Sequence, residues 1–361
     1  MKPIRILVDS FADAGLPNAQ MGNAREIIAR LDPDLFHVSV FNLATPDARI
    51  AARRNTRLVP LPERRQTPRI LREFLAGQHQ ILFYLKASPA SRWYLSMRNR
   101  WRDRRITVGT IESQSDVRNE PTVTPEGVKL WEQTILRCDY LYSNSKAVQA
   151  SLEREYRLSS RIIPTGVDTN FFKPDWNRPP NLRLRVLFAG SLRPFKQPQL
   201  LLDAASRFPE VNFRIAGEGP LREELTHRIA NEHLPNVELL GLLAAQQLQD
   251  EYQRADIFLF PSKWEGSPKV ILEASACGLP VIVRKNYAPE TVIHGVTGYQ
   301  AASDDEIFSF LAALIANTGL RVQLGRAARR HCERYDWNLI VQQWSEEFIR
   351  LAQTGALRSA S

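Results

Sequence analysis

Two glutamates eight positions apart, Glu265 and Glu273, lie in the stretch SKWEGSPKVILEASACGLPVIV, Ser262 to Val283. Glu265 sits in a Gly/Ser/Pro loop, and Glu273 falls inside a segment that reads as a helix. Ser267 is a favourable N-cap, and Pro268 suits the first helical position, where its missing N–H would have been unpaired anyway. Gly278 ends the helix, and Leu279 to Val283 reads as a buried strand. The loop therefore stands at the positive end of a helix dipole, where free N–H groups hold phosphate. N–H groups for a diphosphate, with carboxylates to accept hydrogen bonds from hydroxyls, suit a nucleotide-sugar.

The elements around this stretch alternate. In the first half, strands are expected at Ile4 to Asp9, Phe36 to Leu43, Arg57 to Pro60, Gln80 to Leu85, Arg105 to Ile111, Asp139 to Asn144 and Arg161 to Pro164, with helices between most of them. That pattern implies a mostly parallel sheet covered on both faces, with ligands at the carboxyl ends of the strands. DWNRPPN, Asp175 to Asn181, reads as a linker. The pattern then restarts at Leu184 to Ala189, continues through Asn212 to Ala216, Pro235 to Gly241 and Ala255 to Ser262, and closes on a helix, Trp337 to Leu351. Its apolar stripe is expected at Leu339, Ile340, Trp344, Phe348 and Leu351. With 361 residues the chain is long enough for two cores.

E-x7-E followed by A-S-A-C-G-L-P-V-I resembles the signature of retaining GT-B glycosyltransferases of family 4, the glycosyl transferases group 1. The resemblance runs through the second half in order. GSLRPFKQP, Gly190 to Pro198, is similar to the family's G-R-L-x-x-x-K-G phosphate loop, with Lys196 as the lysine and Ser191 where an arginine often stands; Arg193 is the nearby substitute charge. Gly217-Glu218-Gly219-Pro220 is similar to the G-x-G-P turn near the nucleotide base, and Glu290, Gly295 and Gly298 match a later loop. The segment Cys138 to Asp175, with Gly166-Val167-Asp168, resembles the stretch joining the two domains.

The resemblance implies an α/β chain of two Rossmann-like doubly wound domains facing a central cleft. The expected division is 1–178 for acceptor binding, 179–335 for the nucleotide-sugar, and 336–361 as a helix crossing back to the first domain. It also implies transfer of a sugar, with retention, from a nucleoside-diphosphate sugar to a hydroxyl acceptor that is lipid-linked, a saccharide or another alcohol. Lys196 and Glu265 are the expected catalytic groups. Gly190, Ser191, Arg193, Gly217, Gly219, Gly266, Ser267, Pro268, Lys269, Val270 and Glu273 are expected around the donor, with Glu265 on the sugar hydroxyls and Glu273 on the ribose. In the first domain Gly22, in the loop Ser10 to Gly22 before a helix Asn23 to Leu31, and the strand-end residues Lys86 and Glu112 are the acceptor-side candidates. The family's first-domain histidine has no counterpart, and Lys86 is the group nearest in role. A catalytically silent sugar-nucleotide-binding partner of another transferase is the alternative.

Charge is distributed unevenly. The net charge is +9, and residues 1–180 carry 28 Lys+Arg against 19 Asp+Glu, while the rest carry 20 against 20. The excess in the first half points to an anionic partner. SRWYLSMRNRWRDRR, Ser91 to Arg105, holds six arginines. As a helix it places Trp93, Met97 and Trp101 on one stripe, either on an anionic membrane surface or packed against the sheet. No nucleic-acid module accompanies these charges. Three widely spaced cysteines, Cys138, Cys277 and Cys332, fit a reduced cytoplasmic setting. No apolar run approaches the ~20 residues of a spanning helix, so any membrane contact is expected to be peripheral, on the inner face. No metal or cofactor is implied: Asp32-Pro-Asp34 reads as a turn, and no G-x-G-x-x-G follows a first strand. A glycosidase pair is disfavoured, because eight helical residues span about 12 Å, more than paired hydrolase carboxylates need.

Overall fold

The computed structural model describes residues 2–15, 19–113 and 124–360. The chain forms two compact units, 1–165 with 337–361, and 166–336.

In the first unit the elements alternate as β1 (Ile4–Phe11), α1 (Ala19–Arg30), β2 (Phe36–Asn42), α2 (Ala48–Ala51), β3 (Thr56–Pro60), α3 (Gln66–Ala76), β4 (Ile81–Phe83), α4 (Pro89–Met97), β5 (Ile106–Ile111), α5 (Pro125–Glu132), β6 (Tyr140–Ser143), α6 (Lys146–Tyr156) and β7 (Arg161–Ile162). Among the described residues the seven strands are parallel, in the order β3-β2-β1-β4-β5-β6-β7. Strand order reverses between β1 and β4, which opens a ligand crevice at the carboxyl ends of those two strands. Ile6, Val8, Val38, Val40 and Phe83 pack on one face under α1 and the terminal helix; Leu7, Phe41, Val59 and Leu82 pack on the other under α3 and α4. A strand buried on both faces must be apolar at nearly every position, which is why LVDSF and ILF show little alternation.

The second unit runs β8 (Arg185–Ala189), α7 (Gln199–Arg207), β9 (Asn212–Ala216), α8 (Arg222–Asn231), β10 (Val237–Gly241), α9 (Ala245–Arg254), β11 (Ile257–Phe260), α10 (Lys269–Ala276), β12 (Val281–Arg284), β13 (Gly298–Ala301), α11 (Asp304–Ala316) and α12 (Thr318–Cys332). Its parallel sheet has the order β10-β9-β8-β11-β12-β13, with the reversal between β8 and β11. Residues 166–178 belong to this unit. The DWNRPPN segment is fastened to it by Arg178, whose guanidinium donates to Asp256 at 2.6 Å and to the Ala255 carbonyl at 2.7 Å.

The last helix, α13 (Trp337–Ala360), packs on the first sheet. Its buried stripe is Trp337, Ile340, Val341, Trp344, Phe348 and Leu351. Leu339 is not part of it: one residue is 100° of helical turn, and that step places Leu339 in solvent. The rings of Trp344 and Phe348 meet Phe83 at 4.8 and 4.9 Å. Among the described residues no single helix is long and apolar enough to cross a membrane.

Two first-unit expectations are corrected here. Gly22 does not lie in a loop but in the first turn of α1, which starts at Ala19. The helix expected through Arg105 ends at Met97, because Arg98 turns inward: its guanidinium donates at 2.8 Å to Asp139 and Thr107, and the next residues fold back over it. Ala90, Ser91, Tyr94 and Leu95 form the buried side of α4, while Trp93 and Trp101 are 42% and 43% exposed, with their rings 5.1 Å apart.

Candidate active site

The loops that follow β8 and β11 meet at the point where the strand order of the second unit reverses. After β8, Pro194–Lys196 form one 3-10 turn, closed by Gln197 in the left-handed region at φ 52°. Lys263 N–H, after β11, donates to the Phe195 carbonyl at 2.8 Å and ties the two loops together. That contact brings Lys196 to Glu265. Their ammonium and carboxylate form a hydrogen-bonded ion pair, with side chains 15% and 12% exposed. The Lys196 ammonium also lies 5.0 Å from the Phe260 ring centre and 5.1 Å from that of Phe195, so one side of the pair is walled by aromatic rings.

The glycines let two loop backbones approach each other closely. A Cβ on Gly217 would stand 1.9 Å from the Gly190 carbonyl oxygen, and one on Gly219 would stand 2.6 Å from that of Leu192. The 217–219 turn therefore packs backbone to backbone against the 190–192 loop, fixed by Leu192 N–H on the Glu218 carbonyl at 2.9 Å. Ser191 is half-buried beside it, and Arg193 is exposed at the start of the 3-10 turn.

Helix α10 begins one residue later than the sequence suggests. Pro268 is the N-cap and Lys269 the first helical residue, and no side chain caps the end. Ser267 precedes the cap and does not fill it, since the Pro268 carbonyl takes the Ile271 N–H. Gly266, Ser267, Lys269 and Val270 thus surround a helix N-terminus whose dipole favours an anion. Glu273 is one turn further in. Burial raises its pKa against the opposing pull of Lys269. Tyr252 donates to its Oε2 at 3.0 Å.

The first unit has its own polar cluster at the carboxyl ends of its strands. Glu112, just after β5, accepts the Tyr84 hydroxyl at Oε1 and the Asn23 amide at Oε2, the latter at 3.1 Å. Tyr84 holds a left-handed φ of 61°, a costly backbone state for a bulky residue. Its phenol is pushed well above the usual range by burial and then by the Glu112 charge. Asn144 donates to the Glu112 carbonyl at 3.1 Å, and the Oδ1 atoms of Asn23 and Asn144 are buried without a partner among the described residues. Lys86 lies 3.6 Å from the Phe11 ring centre, and burial lowers its pKa while the Asp9 carboxylate resists. Its backbone N–H donates to Asp9 at 2.9 Å. Asn23 and Tyr84 escaped the sequence reading. The available signals were a polar residue opening the helix expected at Asn23 to Leu31 and a tyrosine near the end of an apolar strand, and either pattern is commonplace.

Residues 169–331 match the family model described as glycosyl transferases group 1. A D-inositol 3-phosphate glycosyltransferase of Geodermatophilus obscurus is 28% identical over 63% of this chain and 56% of its own length. A GDP-mannose-dependent alpha-(1-6)-phosphatidylinositol monomannoside mannosyltransferase of Mycolicibacterium smegmatis is 32% identical over 53% of this chain and 54% of its own. The chain thus spans little more than half the length of these relatives. Among solved structures, sucrose-phosphate synthase from Thermosynechococcus elongatus superposes with a TM-score of 0.80 at 18% identity, over 99% of this chain and 100% of the other. Anabaena HepE, in complex with UDP and glucose, gives 0.73 at 18% identity, over 95% and 98%. The fold is GT-B, two Rossmann-like domains, and residues 169–331 form a domain of the glycosyl transferases group 1.

Proposed function

We propose that the protein is a retaining glycosyltransferase, moving a sugar from a nucleoside-diphosphate sugar to an acceptor hydroxyl in polysaccharide or glycolipid assembly. The observation that carries this reading is the Lys196–Glu265 pair, set where the strand order of the second unit reverses and inside the segment that matches the family. The named functions of the relatives support transferase chemistry, and the UDP and glucose bound to HepE support a nucleotide-sugar donor.

In this reading the difficult step is charge separation, because the sugar becomes oxocarbenium-like as the diphosphate departs. Lys196, Arg193 and the N–H groups at the start of α10 stabilise the departing charge, an effect largest where water is excluded. When the donor arrives, Lys196 exchanges the Glu265 carboxylate for phosphate oxygens. Glu265 is then released to accept sugar hydroxyls, and Glu273 Oε1 to accept the ribose. No metal enters this scheme. Glu112, held by Asn23 and Tyr84, orients the acceptor hydroxyl, with Lys86 and the α1 turn at Gly22 beside it. The exposed Trp93–Trp101 pair, with Arg92, Arg100 and Arg102 around it, rests on an anionic membrane surface and places the protein on the cytoplasmic face.

The test is a panel of UDP-, GDP- and ADP-sugars incubated with purified protein, following slow donor hydrolysis and the anomeric configuration of the product. Hydrolysis of one donor with retention is expected. Inversion refutes retention. Donor binding without turnover under any acceptor favours the silent-partner reading, for which Ser191 in place of an arginine is the specific observation.

A further inference from the structure

A second basic site lies in the first unit, at the amino ends of the strands, opposite the carboxyl ends that carry Lys86 and Glu112. At the amino ends of three adjacent strands, Arg5 of β1 is in register with His37 of β2, and Ser39 of β2 with Arg57 of β3. In-register neighbours on parallel strands point to the same face, so these side chains share one surface. Arg72 of α3 and His79, just before β4, complete the walls of a hollow of about 430 Å³.

The charges in this hollow do not balance. Three guanidinium groups face it, and Glu73 is its one carboxylate. Arg57 is paired with Glu73. Arg5 gives its guanidinium to the neutral side chain of Gln78, and Arg72 has no partner among the described residues. The hollow is kept open by design of its floor. His79 is buried and hydrogen-bonded to Ser39 at 3.0 Å, and Arg57 Nε also donates to Ser39 at 3.2 Å. A Cβ on Gly77 would stand 2.0 Å from the His79 ring.

We propose that this hollow binds a phosphate group, carried either by a soluble phosphorylated compound or by a lipid headgroup. Two guanidiniums lacking a counter-charge match the dianion of a phosphate monoester, and planar N–H forks suit its oxygens. The volume is that of a small-molecule site, large enough for a sugar phosphate or a headgroup. Both imidazoles report the unbalanced field. Burial and the surrounding arginines hold His37 below its usual value and His79 down to about 4. The site shares no residue with the proposed donor and acceptor groups and stands whether or not the glycosyltransferase reading holds.

The experiment titrates the full chain with inorganic phosphate at constant ionic strength in chloride, following the imidazole C–H resonances of His37 and His79. Saturable shifts at these two rings are expected. Arg5→Gln/Arg72→Gln, which changes two exposed side chains, weakens binding at least tenfold. Arg183→Gln/Arg330→Gln removes the same charge from two exposed positions outside every proposed site and leaves binding unchanged. If the first double variant does not fold, Arg72→Gln alone serves and still weakens binding several-fold. Shifts that never saturate, or equal losses in both double variants, overturn the proposal. Short-chain, soluble phosphatidic acid and glycerol 3-phosphate, titrated against the same two imidazoles, then separate the sources. Tighter binding of the lipid, lost in Arg5→Gln/Arg72→Gln, supports the lipid headgroup; equal or tighter binding of glycerol 3-phosphate supports the soluble compound.

Discussion

Replacing Lys196 by alanine separates a site role from a packing role. In the resting protein its ammonium satisfies Glu265, and both side chains are nearly enclosed. Removing the ammonium has two consequences of different size. A positive group aimed at a departing diphosphate contributes about 3 kcal/mol to the transition state, so turnover should fall by roughly a hundredfold or more. Breaking a fully buried pair costs about 3–5 kcal/mol, but here water reaches the edge of Glu265, so about 1–2 kcal/mol is expected. That corresponds to a melting-point drop of roughly 2–8 °C for a domain of this size. Lys196→Ala should therefore be folded at 25 °C and nearly inactive. Each single change strands the other member of the pair, so Lys196→Ala/Glu265→Ala should be destabilised by less than the sum of the singles. The assays are donor turnover at saturating and limiting donor, with thermal melts of the four proteins. Full turnover in both single variants refutes the site, and turnover that declines only in step with the folded fraction shows that the pair is structural alone.

Other expectations follow from the same contacts. Tyr84→Phe removes one hydrogen bond to Glu112 and should slow transfer to acceptor roughly ten- to a hundredfold, since a bond to a charged group is worth about 1.5–3 kcal/mol, while donor hydrolysis stays unchanged. Unchanged transfer separates Glu112 from acceptor binding. Gly217→Ala should lower the melting point by roughly 6–12 °C, because the new methyl overlaps the Gly190 carbonyl and a strain of about 3 kcal/mol is expected. His79 titrates at about 4 in the folded protein and near 6.5 unfolded, so its neutral ring supports the fold fully above pH 6.5, and that support is lost as pH falls toward 4. After discounting for solvent contact this amounts to about 2 kcal/mol; urea unfolding at pH 7 and 4.5 should show wild type losing that much more than His79→Gln. Replacing Trp93 and Trp101 by alanine should abolish flotation with anionic vesicles, and equal flotation rules out that face as the anchor.

Periodicity and punctuation made the fold readable. Doubly buried parallel strands are short apolar runs, and Ile81–Phe83 or Val281–Arg284 could hardly be anything else once helices flank them. The meeting of Lys196 with Glu265 was legible because both lie on loops whose composition is constrained by backbone geometry. What escaped the sequence depends on contacts between distant segments. Arg98 ends α4 through Asp139 and Thr107, which lie 41 and 9 residues away, and local helix propensity carries no trace of either. A glycine turn such as Gly217 to Gly219 does not reveal which backbone approaches it. Here it is the 190–192 loop. Tyr84 and Asn23 converge on Glu112 from different elements, a meeting set by sheet order rather than by spacing.

The +9 charge gains meaning from how the arginines of the first unit are spent. Arg49 is held by Glu26 and Asp47, Arg98 by Asp139, and Arg105 by Asp103. These pairs are internal fastenings and contribute little to any outer field. Once they are set aside, Arg64, Arg65, Arg137 and Arg157 lie scattered on the surface, and two further groups stand beside features that could use them: Arg92, Arg100 and Arg102, without a partner among the described residues, around the exposed Trp93–Trp101 pair, and Arg5 and Arg72 in the hollow. Aromatic anchors beside one cluster and a walled volume beside the other are what binding requires. The two clusters also make opposite demands on an anion, since a flat aromatic patch suits an extended charged surface and a hollow suits one compact group. Salt should therefore weaken vesicle capture steeply while leaving most of the phosphate affinity of the hollow, where part of the contact is sheltered from screening.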